Sequence, residues 1–201
     1  MTRTALSCLF VWIVTLGVFP CRAQLPAFRF ETITSRDGLP SNTVLSATRD
    51  RAGFMWFGTR LCPVRYDGTT FKSFLTPETK FVSGIANDHA NNLWLASDLN
   101  GICLIDSLRK TMRPVPNIPD KQTGDFFIDS KGLGWFSDRR GVNRIDLKTG
   151  KVKHYDFEQT TFVWIKASFV EDADHTLWAI GRDNGLFRYD AQKDSMICVW
   201  E

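Results

Sequence analysis

A tryptophan six residues after an aspartate recurs four times along this chain, and no other feature constrains its fold as strongly. The pairs are Asp50 and Trp56, Asp88 and Trp94, Asp129 and Trp135, and Asp172 and Trp178, which spaces the tryptophans by 38, 41 and 43 residues. A second aspartate follows each tryptophan after eleven or twelve residues: Asp67, Asp106, Asp146 and Asp190. Self-similarity at such a period marks an array of one supersecondary unit.

The content of one unit follows from its turns. Three residues after the first aspartate stand Gly53, Asn91, Gly132 and His175, types that accept the positive φ of a tight hairpin. The flanking apolar runs, such as "NTVLSATRD", "TGDFFIDS" and "IKASFVED", are short and partly alternating, which suits strands rather than helices. Past the tryptophan strand a glycine at 101, 141 and 185 opens "ICLID"-like third strands. "TTFKSFL", "TMRPV", "KVKHYDF" and "SMICVWE" supply fourth ones. Four antiparallel strands in about 40 residues, repeated, build the blade of a β-propeller. The expected class is therefore all-β, with about four four-stranded blades centred near Trp56, Trp94, Trp135 and Trp178 over residues 24–201. Propellers close with four to eight blades, and no closing strand is visible after the fourth, so part of a larger ring is expected. In the first copy Cys62 and Pro63 replace the glycine, which predicts a late or distorted third strand because proline has no ladder donor. Small residues two places after tryptophan, Gly58, Ala96 and Ser137, are expected to let blades pack closely; Ile180 breaks that column.

Residues 1–23 read as a secretory signal peptide: a basic Arg3, an apolar run from Ala5 to Phe19, and a small residue, Ala23, before the cleavage point. A periplasmic or secreted location follows, with an N-terminal membrane anchor as the alternative, although fifteen apolar residues are short of the roughly 20 a spanning helix needs. Removing them takes away Arg3 and Arg22 and no acid, so the formal charge falls from +3 to +1. That weak charge argues against nucleic acid as a partner. Cys62, Cys103 and Cys198 remain, an odd set without short spacing, expected to be reduced and buried as small apolar groups. The segment Phe28–Thr34 is expected to be extended and available to complete another blade.

The stretch "GLPSNTVLSATRDRAGFMWFGT" followed by "RYDG" resembles the two-component regulator propeller repeat of exported sensor regions in bacterial hybrid two-component systems. The resemblance runs over the whole mature chain, with "FRFETITSRDGLPSN" similar to the family's opening segment. It implies a ligand-sensing, non-enzymatic module, with oligosaccharide as ligand class and further blades and a membrane-bound histidine kinase as partners. A truncated gene or fragment of such a sensor is the simplest expectation, with a propeller enzyme of polysaccharide lyase or quinoprotein type, or a non-functional remnant, as alternatives.

The chemistry in the residues themselves is sparse. There is no G-x-S-x-G elbow, Walker loop, H-E-x-x-H or C-x-x-C, and neither cofactor nor metal is expected. His89, His154 and His175 fall at unrelated repeat positions and read as surface or turn residues. The repeated aspartates read as turn caps. Arg65, Arg144 and Arg188, with Leu104 as the exception, recur two residues before the second aspartate and read as strand-stitching side chains. Ligand contacts are expected in the loops between second and third strands, at Asp98, Asn100, Arg139, Arg140, Arg182 and Asp183. Trp164, off the repeat pattern, is the candidate for stacking on a sugar ring.

Overall fold

The computed structural model describes residues 30–75, 80–106, 108, 111–156, 167–181 and 185–200. Contacts divide the chain into Met1–Thr32 and Ile33–Glu201; of the first unit only Phe30–Thr32 is described, and Phe30 there is exposed. Phe28 and Arg29 of the segment expected to be extended lie outside the described residues, and Phe30–Thr34 forms no strand.

Among the described residues, sixteen strands form four four-stranded antiparallel sheets, each a meander in chain order. Blade 1 is β1 (Val44–Arg49), β2 (Met55–Thr59), β3 (Pro63–Tyr66) and β4 (Phe71–Ser73). Blade 2 is β5 (Val82–Asn87), β6 (Leu93–Ser97), β7 (Gly101–Ile105) and β8 (Met112–Pro114). Blade 3 is β9 (Phe126–Ile128), β10 (Leu133–Ser137), β11 (Gly141–Asp146) and β12 (Val152–Asp156). Blade 4 is β13 (Ala167–Glu171), β14 (Leu177–Gly181), β15 (Gly185–Asp190) and β16 (Ser195–Trp200). A short 3-10 turn, Ser35–Asp37, leads in; it is closed by Thr34 and Asp37 in a capping box, and Gly38 leaves it at φ 101°.

The Asp–Trp pairs explain themselves in the first hairpin of each blade. One oxygen of Asp50 accepts the N–H groups of Ala52 and Phe54, and the other accepts the indole N–H of Trp56 at 2.8 Å. Asp88, Asp129 and Asp172 hold Trp94, Trp135 and Trp178 the same way at 2.8–2.9 Å. The spacing of six is the reach from the turn to the second residue of β2, β6 and β14 and the third of β10. Gly53, Asn91, Gly132 and His175 all have positive φ, between 59° and 92°. The second aspartates cap the outer hairpin: Asp67 accepts from Thr69 and Thr70, Asp146 from Lys148 and Thr149, and Asp190 from Gln192 and Lys193. β3 starts at Pro63 and is four residues long against five or six for β7, β11 and β15, the late start that proline at this place predicts.

The core lies between blades, not within them. The leading face of blade 1, carrying Trp56, packs on Val82, Ile85, Leu93, Leu95, Cys103 and Ile105 of the trailing face of blade 2. Trp94, Ala96 and Ile102 lead onto Phe126, Phe136 and Ile145 of blade 3. Trp135, Val142 and Tyr155 lead onto Ala167, Phe169, Leu177, Ala179 and Phe187 of blade 4. Each layer is an apolar sandwich of two twisted sheets, so no blade is stable without a neighbour. The approach is close enough that a Cβ on Gly58 would lie 2.7 Å from the Val82 carbonyl oxygen, and one on Gly84 2.3 Å from the Phe126 nitrogen.

One expectation about the thiols is corrected. Cys62 and Cys103 are buried, but Cys198 is exposed, because β16 is the outermost strand of its blade.

Candidate functional site

In a four-stranded meander the first and third turns lie at one edge, while the second turn and the crossing to the next blade lie at the other. The aspartate-capped hairpins therefore share one edge of the array. The loops singled out in the sequence share the opposite edge with the inter-blade crossings, one of which is residues 115–125.

These loops are held from below by a side chain three residues after tryptophan. Thr59 Oγ1 accepts the Leu61 N–H at 3.2 Å, Ser97 Oγ the Leu99 N–H at 3.3 Å, and Asp138 Oδ1 the Arg140 N–H at 2.8 Å. Reading the column of Thr59, Ser97 and Asp138 down the first three repeats would have revealed this anchor; Gly181, at the same place in the fourth, has no side chain to supply it.

Asp138 is the strongest of the three. Its side chain is fully buried, and it accepts the N–H of Gly141 at 3.0 Å and the amide of Asn143 at 2.8 Å. Because Asn143 donates its nitrogen to Asp138, its oxygen must accept, so His154 Nδ1, 2.8 Å away, donates. His154 is thus half-buried and part of a network rather than a bare surface residue. The network fixes the backbone of Arg139 and Arg140, both exposed at the rim.

Arg139 turns along the rim and donates its Nε–H to Asp120 Oδ2 at 2.8 Å. The crossing that carries Asp120 is itself tied down: Gln122 N–H donates to Asp120, and Gly101 N–H donates to the Lys121 carbonyl at 2.7 Å. The Thr123 hydroxyl, which accepts the Ser97 N–H at 3.1 Å, sits between β6 and β7. Burial pushes the Asp120 carboxyl upward, but the Arg139 hydrogen bond, the Gln122 N–H and the charges of Arg139 and Arg140 outweigh it and hold the carboxyl below its ordinary value. The structure therefore brings Arg139 and Arg140 of blade 3 to the 120–123 crossing, which adjoins the blade 2 loop bearing the half-buried Asp98 and Asn100. Arg182, Asp183 and Trp164 lie outside the described residues.

The arginine column does different work. Arg144 Nη1 donates to the Tyr189 hydroxyl at 2.6 Å and to Asp194 at 3.0 Å, both in blade 4, and its guanidinium lies 5.8 Å from the ring centres of Trp135, Tyr155 and Tyr189. Tyr155, Tyr189 and Lys153 also donate to Asp194. Arg144 stitches blades rather than strands. Arg65 stacks on Phe54 within blade 1, 4.3 Å from the ring centre, and Arg188 is exposed on the leading face of blade 4.

Known proteins place this architecture. Residues 38–60 match the family described as two component regulator propeller. No curated protein is significantly similar in sequence. The extracellular domain of a hybrid two-component system from B. thetaiotaomicron superposes with a TM-score of 0.72 at 19% identity, covering 84% of this chain and 26% of that one. A second such domain from the same organism gives 0.66 at 20% identity, covering 81% and 25%. Virginiamycin B lyase from Staphylococcus aureus gives 0.61 at 18% identity, covering 77% and 54%. The fold is that of a β-propeller, and the chain spans about a quarter of the length of the extracellular domains it matches. The neighbours include both extracellular domains of two-component systems and a lyase.

Proposed function

We propose that the chain is an exported ligand-sensing module, four blades of a larger ring, whose loop edge receives an oligosaccharide and whose state is read by a membrane-bound kinase. The observation that carries the reading is the rim of Arg139, Arg140 and Asp120 over the buried Asp138–Asn143–His154 network. Oriented hydrogen-bonding groups on a rigid scaffold are what recognition of a neutral polar ligand requires. The likeness to sensor extracellular domains supports the same reading. In this proposal residues 1–23 direct export, Asp98, Asn100, Arg182 and Asp183 add polar contacts, and Trp164 is the stacking platform.

Titration calorimetry against an oligosaccharide panel tests it, on this chain and on an intact sensor containing it. Weak binding by the chain, removed by Arg139→Ala, and tight binding of one sugar by the intact sensor are expected. No heat with any sugar in either removes the oligosaccharide assignment. Appearance of an unsaturated product absorbance would make the protein a lyase instead.

A further inference from the structure

Phe81 stands immediately before β5 at φ 54°, and among the described residues it is the one large apolar side chain at positive φ. For a bulky residue that conformation is strained, and such strain persists only where the surroundings impose it, most often at binding sites. The repeat does not demand it. Thr43 holds the same place before β1, its carbonyl accepting the Arg60 N–H as the Phe81 carbonyl accepts the Asp98 N–H, and Thr43 is not at positive φ. The core does not demand it either. Phe81 is half-buried and belongs to none of the three apolar layers between blades.

Blades 1 and 2 flank Phe81, and both hold it. Its N–H donates to the Arg60 carbonyl of blade 1 at 3.1 Å, and its carbonyl accepts the Asp98 N–H of blade 2 at 3.1 Å. The Lys80 carbonyl before it accepts the Ser97 hydroxyl at 2.7 Å. Ser97 Oγ also accepts the N–H of Leu99, whose side chain is 47% exposed. Arg60, itself exposed, places its guanidinium carbon 5.3 Å from the centre of the Phe81 ring. An aromatic ring, a guanidinium and an aliphatic side chain are thus presented together on a pinned backbone at the loop edge. From there the edge runs on to the Arg139 rim, because Gly101, at the far end of the Leu99 loop, donates its N–H to the Lys121 carbonyl, and Asp120 beside it accepts from Arg139.

We infer that Phe81 is a second aromatic platform of the loop edge, which takes the C–H face of a pyranose ring while Arg60 donates to the hydroxyls around it and Leu99 shields the contact from water. The negative π-face of an aromatic ring attracts the polarised C–H groups of a sugar, and a guanidinium supplies donors only, which hydroxyl oxygens accept. The inference rests on the oligosaccharide reading and deepens it: the ligand is more than one sugar unit long, with one ring over Phe81 and another at the Arg139 rim.

Two measurements test it. Asparagine accepts positive φ far more readily than phenylalanine, so Phe81→Asn relieves the strain, and the melting temperature of the chain should not fall. In an intact sensor containing the chain, calorimetry with xylohexaose, mannohexaose and maltohexaose should show Phe81→Asn about tenfold weaker toward whichever of them the parent binds. Phe81→Trp, which keeps an aromatic face, should bind close to the parent. A melting temperature that drops with Phe81→Asn makes the ring a packing residue, and an unchanged affinity makes it a bystander; either overturns the inference and leaves the sensing proposal standing. No heat from the parent with any of the three sugars removes the oligosaccharide reading, and this inference falls with it.

Discussion

Trp135 donates its indole N–H to Asp129 Oδ2 at 2.8 Å, while Asp129 Oδ1 accepts the N–H groups of Lys131 and Leu133 at 3.0 and 2.8 Å. Both residues are buried. Asp129→Ala leaves the indole N–H without an acceptor beneath a packed blade, at a cost of about 1–3 kcal/mol. Asp129→Asn keeps the acceptor for the turn and should cost less. Urea denaturation of the two variants should rank them in that order, with Asp172→Ala mildest because Trp178 is incompletely covered.

Gly84 defines how near two blades come. A Cβ there would lie 2.3 Å from the Phe126 nitrogen and 2.8 Å from the Asp125 carbonyl carbon, backbone atoms that cannot swing aside. Gly84→Ala should destabilise by about 1–3 kcal/mol through overpacking. Gly68, at φ 102° with nothing within 4 Å, has open space, so Gly68→Ala should act through backbone strain alone. Thermal melts should show Gly84→Ala as the larger loss.

Much of this was legible in the sequence because the repeat supplies four readings of one structure. Asp50, Asp88, Asp129 and Asp172 could be identified as turn caps, and Gly53, Asn91, Gly132 and His175 as positive-φ residues, since chance does not align four of each. What escaped belongs to contacts between blades, which no single repeat encodes. Arg144 looked like a strand-stitching residue, yet its partners Tyr189 and Asp194 lie 45 and 50 residues away in the next blade. Ser130 and Glu171 are likewise joined across 41 residues. Asn143 and His154 gave no signal because their positions in the other copies hold unrelated types.

Asp194 makes the third-to-fourth blade layer sensitive to acid. The hydrogen bonds from Lys153, Tyr189 and Tyr155 and the charge of Arg144 outweigh a small burial effect and hold its carboxyl well below the ordinary 3.8. A depressed folded value means stability that is present above 3.8 and lost as pH falls through the folded value. Asp194→Asn should therefore lower the melting temperature at pH 7, and the gap to the parent should close toward about pH 2. A gap constant with pH would show that the ionised carboxylate contributes nothing.

The thiols should react in two classes. Cys198 is exposed on β16, while Cys62 and Cys103 are buried, and burial pushes the Cys62 thiol above its ordinary 9.0. Since the thiolate is the reactive form, in protein beginning at Gln24 a disulfide reagent at neutral pH should label Cys198 quickly, and Cys62 and Cys103 only in denaturant. Rapid labelling of Cys62 and Cys103 as well would mean that the blades open readily.

Asp138 and Arg139 are adjacent yet should fail in different ways. Asp138 is buried and is the acceptor for the Arg140 and Gly141 N–H groups and the Asn143 amide. Asp138→Ala strands these donors and releases the loop, so stability should fall by about 3 kcal/mol or more. Arg139 is exposed, and its bond to Asp120 lies at the rim, where such pairs contribute little to stability. Arg139→Ala should leave the urea midpoint nearly unchanged and remove whatever ligand heat the chain gives. Asp138→Asn separates scaffold from contact, because its oxygen can still accept from the loop while the amide faces another amide at Asn143. Binding by that variant should weaken in proportion to the loss of loop order, seen as faster amide exchange at Arg140 and Gly141. Unchanged exchange with lost binding would instead place Asp138 itself against the ligand, which its complete burial opposes.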